Sequence, residues 1–276
     1  MTLAPVDRGR VEEVVAPLSA PPPTADSRPP RPAVPLDLLS LDGVRLRGVH
    51  HPGVAGGAAV VVAHGFTNAT AKPSTRAVVD RMARHAAVYA VDFRGHGRSG
   101  GRASVGRDEW HDLDAAVERA RTDGYRTVSV VGFSMGAAVA LRHAVLGRRP
   151  ADAVVSVSSP SRWFIRDSVP MRRVHWLLEH PSGRLVGRAL GVRLATPWPE
   201  IPTTPLEAVA GVAPRPLLLV HGTADHYFGP QHAAALHAAA GHGNLWIEAG
   251  MTHAESGTTP ELVDRIAGWL AARTTA

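Results

Sequence analysis

Short apolar runs alternate with longer amphipathic segments along most of the chain. The apolar runs lie at residues 59–63, 87–91, 127–131, 153–157, 216–221 and 244–248. The amphipathic segments lie near residues 75–85, 108–122, 135–146, 231–240 and 260–272. A short, continuous apolar run predicts a strand buried on both faces, and apolar spacing of three and four predicts a helix. The alternation therefore predicts an α/β fold with a mostly parallel central sheet covered by helices on both faces.

The alternation is absent from the N-terminal part of the chain. Residues 21–32 contain six prolines, which prevent a continuous helix or a central strand. We predict a flexible, proline-rich arm over residues 1–35, followed by one domain at 36–276. Alternating apolar residues on both sides of Asp42-Gly43 predict a hairpin of edge strands where that domain begins.

The alternation is interrupted again between residues 159 and 204. Six prolines are mixed there with the aromatic residues Trp163, Phe164 and Trp176. A long irregular insertion in an otherwise regular pattern usually carries function. We therefore predict a cap over a pocket, in which these three aromatic side chains contact the substrate. The alternative is that they fill a core beneath a loop.

The composition restricts the chemistry and the partners of the protein. The chain has no cysteine, which excludes disulfides, thiolate metal sites and a cysteine nucleophile. The formal charge is +6, but the basic residues are scattered, and the densest pairs are Arg148-Arg149 and Arg172-Arg173. We therefore predict no nucleic-acid partner. No segment approaches the ~20 apolar residues of a membrane span, and residues 1–35 lack the apolar core of a secretory signal, so a cytoplasmic location is predicted.

The pentapeptide Gly132-Phe133-Ser134-Met135-Gly136 lies between a predicted strand and a predicted helix. A nucleophile elbow needs this placement, because its serine occupies a sharp, strained turn at the end of a strand. The residues two positions before and two positions after the serine must be very small, and both are glycine here. Ser134 is therefore the predicted nucleophile, with an ordinary glycine-rich turn as the alternative.

A serine hydroxyl needs a neighbouring base and a carboxylate that orients the base. Asp225 follows the predicted strand at 216–221, and His253 follows the predicted strand at 244–248. The carboxyl ends of parallel strands lie at one edge of a sheet. Ser134, Asp225 and His253 are therefore predicted to converge there as a catalytic triad.

Other residues compete for the two partner positions. His226 is the alternative base, but it lies in the loop before the last strand, whereas His253 lies in the loop after it. Glu248 and Glu255 are the alternative acids. Asp225 is preferred because it lies in a tight, glycine-containing turn directly after a predicted strand.

No metal or cofactor is predicted. His64 and His96 lie near the predicted site, but neither has the paired spacing of a zinc site. We predict instead that both brace loops beside the pocket through hydrogen bonds.

Together, these motifs resemble the α/β-hydrolase family over about residues 36–274. The resemblance rests on His64-Gly65-Phe66, the segment DFRGHGRSG at 92–100, the elbow at Ser134, and the chain order Ser134, Asp225, His253. The first two motifs are most similar to those of small bacterial serine carboxylesterases, including feruloyl-type enzymes. The resemblance implies an oxyanion hole formed by the backbone N–H groups of Phe66 and Met135.

The resemblance also implies a serine carboxylesterase that needs no cofactor and acts on a small-molecule ester. The serine at the elbow separates the chain from haloalkane dehalogenases and epoxide hydrolases of the same fold, which have an aspartate there. The short insertion suits a small to medium acyl ester, and its aromatic residues suit an apolar or aromatic acyl group. The alternatives are a thioesterase, a lipase or a C–C bond hydrolase with the same triad, and a non-catalytic binding protein.

Overall fold

An eight-stranded sheet forms the centre of the protein, of which the computed structural model describes residues 31–274. Its strands are β1 (Val34–Leu39), β2 (Arg45–His51), β3 (Ala58–Ala63), β4 (Ala87–Val91), β5 (Thr127–Phe133), β6 (Ala153–Val157), β7 (Leu217–Gly222) and β8 (Asn244–Glu248). They lie in the order β1-β2-β4-β3-β5-β6-β7-β8. Strand β2 is antiparallel to both of its neighbours, and the other pairs are parallel. The mostly parallel sheet predicted from the apolar runs is thus confirmed.

Helices cover both faces of the sheet, as predicted. They are α1 (Pro73–Met82), α2 (Glu109–Thr122), α3 (Met135–Leu146), α4 (Val169–Glu179), α5 (Gly183–Ala189), α6 (Pro205–Ala208), α7 (Gln231–Ala240), α8 (Ala254–Gly257) and α9 (Pro260–Thr274), with a 3₁₀ turn at Val209–Val212. Alternate residues of a strand point to opposite faces. In β3, Val61 packs in the core with α2, α3 and α7, whereas Val60 and Val62 pack with α1 and α9. A strand buried on both faces requires apolar residues throughout, which explains the continuous valine run of β3.

The chain enters the sheet through the hairpin predicted around Asp42-Gly43. Strands β1 and β2 pair in antiparallel register on either side of it. Gly43 has φ 83°, a left-handed conformation that glycine adopts at little cost. Strand β1 begins at Val34, two residues before the predicted domain boundary. The predicted flexible arm lies outside the described residues, apart from residues 31–35.

Two helices, α4 and α5, lie within the predicted insertion at residues 159–204, which we call the cap. They pack against each other. Helix α4 begins after Ser168, whose Oγ accepts a hydrogen bond of 3.2 Å from the N–H of Met171, an arrangement that satisfies one of the unpaired donors at a helix start. Within residues 31–274, no helix is both long and apolar enough to cross a bilayer.

Candidate active site

The carboxyl ends of the parallel strands form one edge of the sheet, and the predicted site residues lie along it. Ser134 follows β5, Asp225 follows β7 and His253 follows β8. In the register between β3 and β5, Ala63 lies opposite Gly132, which brings the segment after β3 beside the elbow. The topology therefore gathers residues that are far apart in the sequence.

Ser134 occupies the sharp turn between β5 and α3. Its backbone has φ 50° and ψ −114°, a conformation that costs a non-glycine residue on the order of 1–3 kcal/mol. A Cβ atom on Gly132 would lie 2.4 Å from the carbonyl oxygen of Gly136, and one on Gly136 would lie 2.2 Å from that of Ala63. The two small residues of the elbow pattern are therefore required by close contacts between backbones.

The three predicted triad side chains are connected by hydrogen bonds. His253 Nε2 lies 2.9 Å from Ser134 Oγ, and His253 Nδ1 lies 2.7 Å from Asp225 Oδ2. Because an ionised carboxylate only accepts, Nδ1 carries the proton and the lone pair of Nε2 is directed at the serine hydroxyl. This arrangement lets a histidine act as a general base toward a serine.

Asp225 is a buried, ionised carboxylate. Its side chain has no exposed surface, and its Oδ1 accepts hydrogen bonds from the N–H of Tyr227 at 2.9 Å and the N–H of Phe228 at 3.2 Å. Burial raises the pKa of Asp225, but the hydrogen bonds from His253 and from these two N–H groups lower it, and the net shift is downward. Oδ1 thus fixes the side chain, while Oδ2 orients the imidazole.

Neither His226 nor Glu248 takes part in this hydrogen-bonded chain. His226 lines the adjacent cavity, and its ring centroid lies 6.4 Å from that of His253. The carboxylate of Glu248 pairs with Arg265 at 2.8 Å. The geometry therefore presents His253 to Ser134 as the base.

The predicted oxyanion donors, the backbone N–H groups of Phe66 and Met135, lie close to Ser134. Met135 is the first residue of α3, so its N–H is one of the donors that a helix leaves unpaired at its start. A Cβ atom on Gly65, which precedes Phe66, would lie 3.3 Å from the Cβ of Ser134. Neither N–H donates a hydrogen bond to another group within residues 31–274. Both donors and the positive end of α3 can therefore face a developing negative charge.

Glu255 connects the loop of His253 to the loop that carries Phe66. Its Oε1 accepts a hydrogen bond of 2.8 Å from the N–H of Gly65, and the residue is buried. Burial raises the pKa of Glu255, and the hydrogen bond from Gly65 offsets this only in part. The sequence indicated Glu255 only as an alternative acid, because no pattern shows that a residue after β8 contacts the loop after β3.

Backbone strain is concentrated around the same site. Within residues 31–274, the non-glycine residues with positive φ are Thr67, Val105, Ser134, Ser158 and Ala254. Thr67 follows Phe66, and Ala254 follows His253. The N–H of Ala254 donates a hydrogen bond of 3.1 Å to Ser158 Oγ, so Ser158 holds the loop that carries His253. Such conformations persist where the surroundings impose them, and they cluster at active sites.

His64 and His96 brace loops beside the site. His64 Nε2 accepts a hydrogen bond from the N–H of Phe93 at 3.0 Å, so Nδ1 carries the proton and donates to the carbonyl of Gly65 at 2.8 Å. Burial lowers the pKa of His64 to about 3, which keeps the ring neutral. His96 Nδ1 lies 3.0 Å from the carbonyl oxygen of Arg94. In the described part of the chain, no cluster of three or more His, Asp and Glu side chains could hold a metal ion.

A large apolar cavity opens in front of Ser134. Its volume is about 1220 Å³, above the roughly 300–1,000 Å³ that is typical of small-molecule sites. Trp163, Phe164 and Trp176 of the cap all line it. Trp163 Nε1 donates a hydrogen bond of 2.8 Å to the carbonyl of Pro202, whereas Phe164 and Trp176 are about half exposed. The three aromatic residues therefore line an open cavity rather than fill a closed core.

A mostly parallel sheet that presents a serine elbow, a histidine and an aspartate along one edge defines an α/β hydrolase. The family model described as serine aminopeptidase, S33, matches residues 56–196, which are 141 of the 276 residues. The chain therefore belongs to this family. The matched part includes Ser134 and ends before Asp225 and His253. No curated protein matches the chain in sequence.

Several solved structures are similar to this one. An esterase from Pyrococcus furiosus is 22% identical, with a TM-score of 0.69 over 89% of this chain and 99% of its own. The α/β hydrolase GrgF from Penicillium sp. sh18 is 18% identical, with a TM-score of 0.69 over 89% of this chain and 100% of its own. Est1E from Butyrivibrio proteoclasticus, solved with ferulic acid bound, is 17% identical, with a TM-score of 0.60 over 87% and 99%. These similarities show a common fold, and the predicted α/β-hydrolase fold is confirmed.

Proposed function

We propose that this protein is a serine hydrolase that cleaves carboxylic esters through an acyl-enzyme intermediate. The observation that carries the proposal is the continuous chain of hydrogen bonds from Ser134 Oγ through His253 to Asp225 Oδ2. A serine activated in this way attacks acyl groups. The apolar cavity in front of it provides room for the acyl part of an ester.

In this proposal His253 acts first as a base and then as an acid. Its Nε2 takes the proton of Ser134 while Oγ attacks the carbonyl carbon, and Asp225 stabilises the imidazolium that forms. The N–H groups of Phe66 and Met135 bind the negative oxygen of the tetrahedral intermediate, where loss of one donor typically costs about 2.7–4 kcal/mol. The imidazolium then protonates the departing alcohol oxygen. Water, deprotonated by His253, hydrolyses the acyl-enzyme and restores the serine.

The charges in the cavity favour an ester over a peptide with a free N-terminus. A buried ammonium group needs a carboxylate partner. Among the described residues, the carboxylates that line the cavity are those of Glu179 and Glu255. Glu179 is paired with Arg166 and His175, and Glu255 accepts the hydrogen bond of Gly65. Both carboxylates are therefore engaged within the protein, which supports a neutral substrate.

A fluorophosphonate probe tests the nucleophile and separates an enzyme from a binding protein of the same fold. We expect stoichiometric labelling of the wild type, with the added mass on the peptide that contains Ser134, because the probe reacts with an activated serine. The Ser134→Ala variant should stay unlabelled. Ser182→Ala, which removes a serine between α4 and α5, is the matched control and should label fully. A folded wild type that resists labelling would support the non-catalytic alternative.

The substrate that we propose is an ester of an apolar or aromatic acid. The short cap favours a small to medium acyl group, whereas a cavity of about 1220 Å³ has room for a larger one. In a series of p-nitrophenyl esters, each buried CH₂ contributes about 0.8 kcal/mol, so kcat/KM should rise up to about fourfold per methylene until the chain outgrows the cavity. A flat series would contradict an apolar acyl site. A thioester and a β-diketone with the same acyl group test the thioesterase and C–C bond alternatives.

Glu255 should act as a positioning residue for the oxyanion donor. Glu255→Ala removes the acceptor of the Gly65 N–H and loosens the loop that carries Phe66. A misplacement of about 1 Å can cost roughly 10²-fold, so we expect kcat to fall about 10- to 100-fold with little change in KM. Steady-state kinetics with a p-nitrophenyl ester measure both constants.

Two further variants separate this role from a general loss of stability. Glu255→Gln keeps an acceptor oxygen and should recover most of kcat. Glu248→Ala removes a carboxylate that pairs with Arg265 outside the hydrogen-bonded chain, and it should leave kcat unchanged. If Glu255→Gln were as slow as Glu255→Ala, an acceptor for Gly65 would not be the contribution of this residue.

A further inference from the structure

The cap exposes an unusual amount of apolar surface. Of the 15 large apolar side chains that are exposed within residues 31–274, seven lie in the cap. Five of these seven lie on or directly after α4 and α5, namely Val169, Trp176, Leu185, Val186 and Leu190. Exposed apolar side chains grouped in this way mark an interaction site more often than isolated ones do.

Helices α4 and α5 together form the cap hairpin, and each places arginines beside its exposed apolar residues. On α4, Val169, Arg173 and Trp176 follow the spacing of four and three that aligns side chains on one face. All three are exposed, whereas Met171 and Leu177 of the same helix are buried. The exposed face of α4 is therefore apolar and basic.

Helix α5 repeats this arrangement. Arg184 and Arg188 are exposed and four residues apart, with Leu185 exposed between them. The residues that face inward are Gly183 and Gly187, both buried. The large side chains of α5 that point outward are thus leucine, valine and arginine, the composition of a helix that lies at a lipid interface.

The arginines of the cap hairpin are not neutralised by the protein. In the described part of the chain, Arg172, Arg173, Arg184 and Arg188 form no ion pair with a carboxylate, whereas Arg166 pairs with Glu179. The cap contains seven arginines and three acidic residues, so its formal charge is +4. This surface favours an anionic partner.

The exposed face is continuous with the mouth of the cavity. Trp176, Val186 and Leu190 are exposed, and they also line the cavity that leads to Ser134. Arg173 lines the cavity as well. An apolar molecule can therefore pass from this face toward Ser134 in contact with apolar side chains.

We propose that the cap hairpin docks on a lipid surface that contains anionic phospholipids. The apolar side chains enter the boundary between headgroups and acyl chains, and the arginines contact the phosphate groups. A second copy of this chain would also cover an apolar face, but a two-fold dimer would place the same +4 surface against itself. An acidic protein would neutralise the arginines, but it would not explain why the exposed apolar face continues into the mouth of the cavity. A lipid surface satisfies both features.

Co-sedimentation of the full-length Ser134→Ala variant with vesicles tests the proposal. Without the nucleophile no lipid is hydrolysed, so the result is separate from the outcome for the proposed hydrolase. We expect binding to phosphatidylcholine vesicles that contain about a third phosphatidylglycerol, and at least tenfold weaker partitioning onto phosphatidylcholine alone. Binding to the anionic vesicles should weaken as salt is added.

Matched variants locate the docking surface. Leu185→Glu, and the double variant Arg184→Glu/Arg188→Glu, should each lower the partition coefficient at least tenfold. Val54→Glu changes an exposed valine outside the cap, and Arg148→Glu/Arg149→Glu changes two exposed arginines outside it. Both controls should bind like the parent.

Three results would overturn the proposal. The first is a protein that does not sediment with the anionic vesicles. The second is an equal loss of binding in the control variants, which would show a general effect of net charge. The third is a dimer in light scattering that Leu185→Glu dissociates, together with no vesicle binding, which would assign this face to a second copy of the chain.

Discussion

Replacing Ser134 with alanine should abolish ester hydrolysis. We expect kcat for p-nitrophenyl butyrate to fall by about 10⁴- to 10⁶-fold, because no acyl-enzyme can form and only binding and the oxyanion donors remain. Stopped-flow absorbance should show that any burst of p-nitrophenol seen with the wild type is lost. The melting temperature should change little, because the lost hydroxyl contacts His253 at the edge of the cavity and alanine fits the same turn.

The control for this variant is Ser182→Ala, in the turn between α4 and α5, which should retain the wild-type kcat. Residual turnover by Ser134→Ala above about 1% of wild type, in a preparation free of other esterases, would show that another group is the nucleophile. If Ser134→Ala lost both turnover and its folded structure, the role of Ser134 would be tested by the fluorophosphonate experiment, which locates the labelled residue in the wild-type protein.

The regular part of the fold is predictable because strands β3 to β7 are buried on both faces, which requires continuous apolar runs. The predicted bounds of α3, α7, β6 and β8 agree with the structure. Strand β5 extends two residues beyond its apolar run, to Phe133, because Gly132 and Phe133 continue the pairing with β6. Glycine weakens the sequence signal of a strand, yet here it is needed for the close approach of α3.

The cap hairpin is not predictable in the same way. A helix is recognised from the contrast between an apolar and a polar face. Helix α4 has this contrast, because Met171 and Leu177 are buried whereas its arginines are exposed. Pro170 and Pro181, however, suggest irregular structure in this part of the sequence. Pro170 instead lies in the first turn of α4, where its missing N–H has no partner to lose.

The contacts between loops also cannot be predicted from the sequence pattern. The chain order of Ser134, Asp225 and His253 follows from the places where parallel strands end. The hydrogen bonds from Gly65 to Glu255 and from Ala254 to Ser158 join loops after different strands, and no local periodicity encodes them. Both depend on strand order and register, which become visible only in the folded sheet.

Asp225→Asn should lower kcat about 10⁴-fold although the two side chains have the same shape. The N–H groups of Tyr227 and Phe228 donate to Oδ1, so the amide oxygen should keep that position and the NH₂ group should face His253. Nδ1 must then accept a hydrogen bond, which moves the ring proton to Nε2. In that tautomer His253 cannot take the proton of Ser134. Steady-state kinetics measure the loss.

A loss of stability alone would not lower kcat in this way. The pH dependence of unfolding measures what Asp225 contributes to stability, and so separates that contribution from its effect on kcat. The pKa of Asp225 is lowered from 3.8 in the folded state, so its ionised form stabilises the fold at pH values above about 4, and the contribution is lost as the pH falls through the lowered pKa. Asp225→Asn should remove this contribution, whereas Asp167→Asn, at an exposed pair with Arg162, should keep both it and kcat. If Asp225→Asn stayed within tenfold of the wild-type kcat, a group other than Asp225 would orient the imidazole.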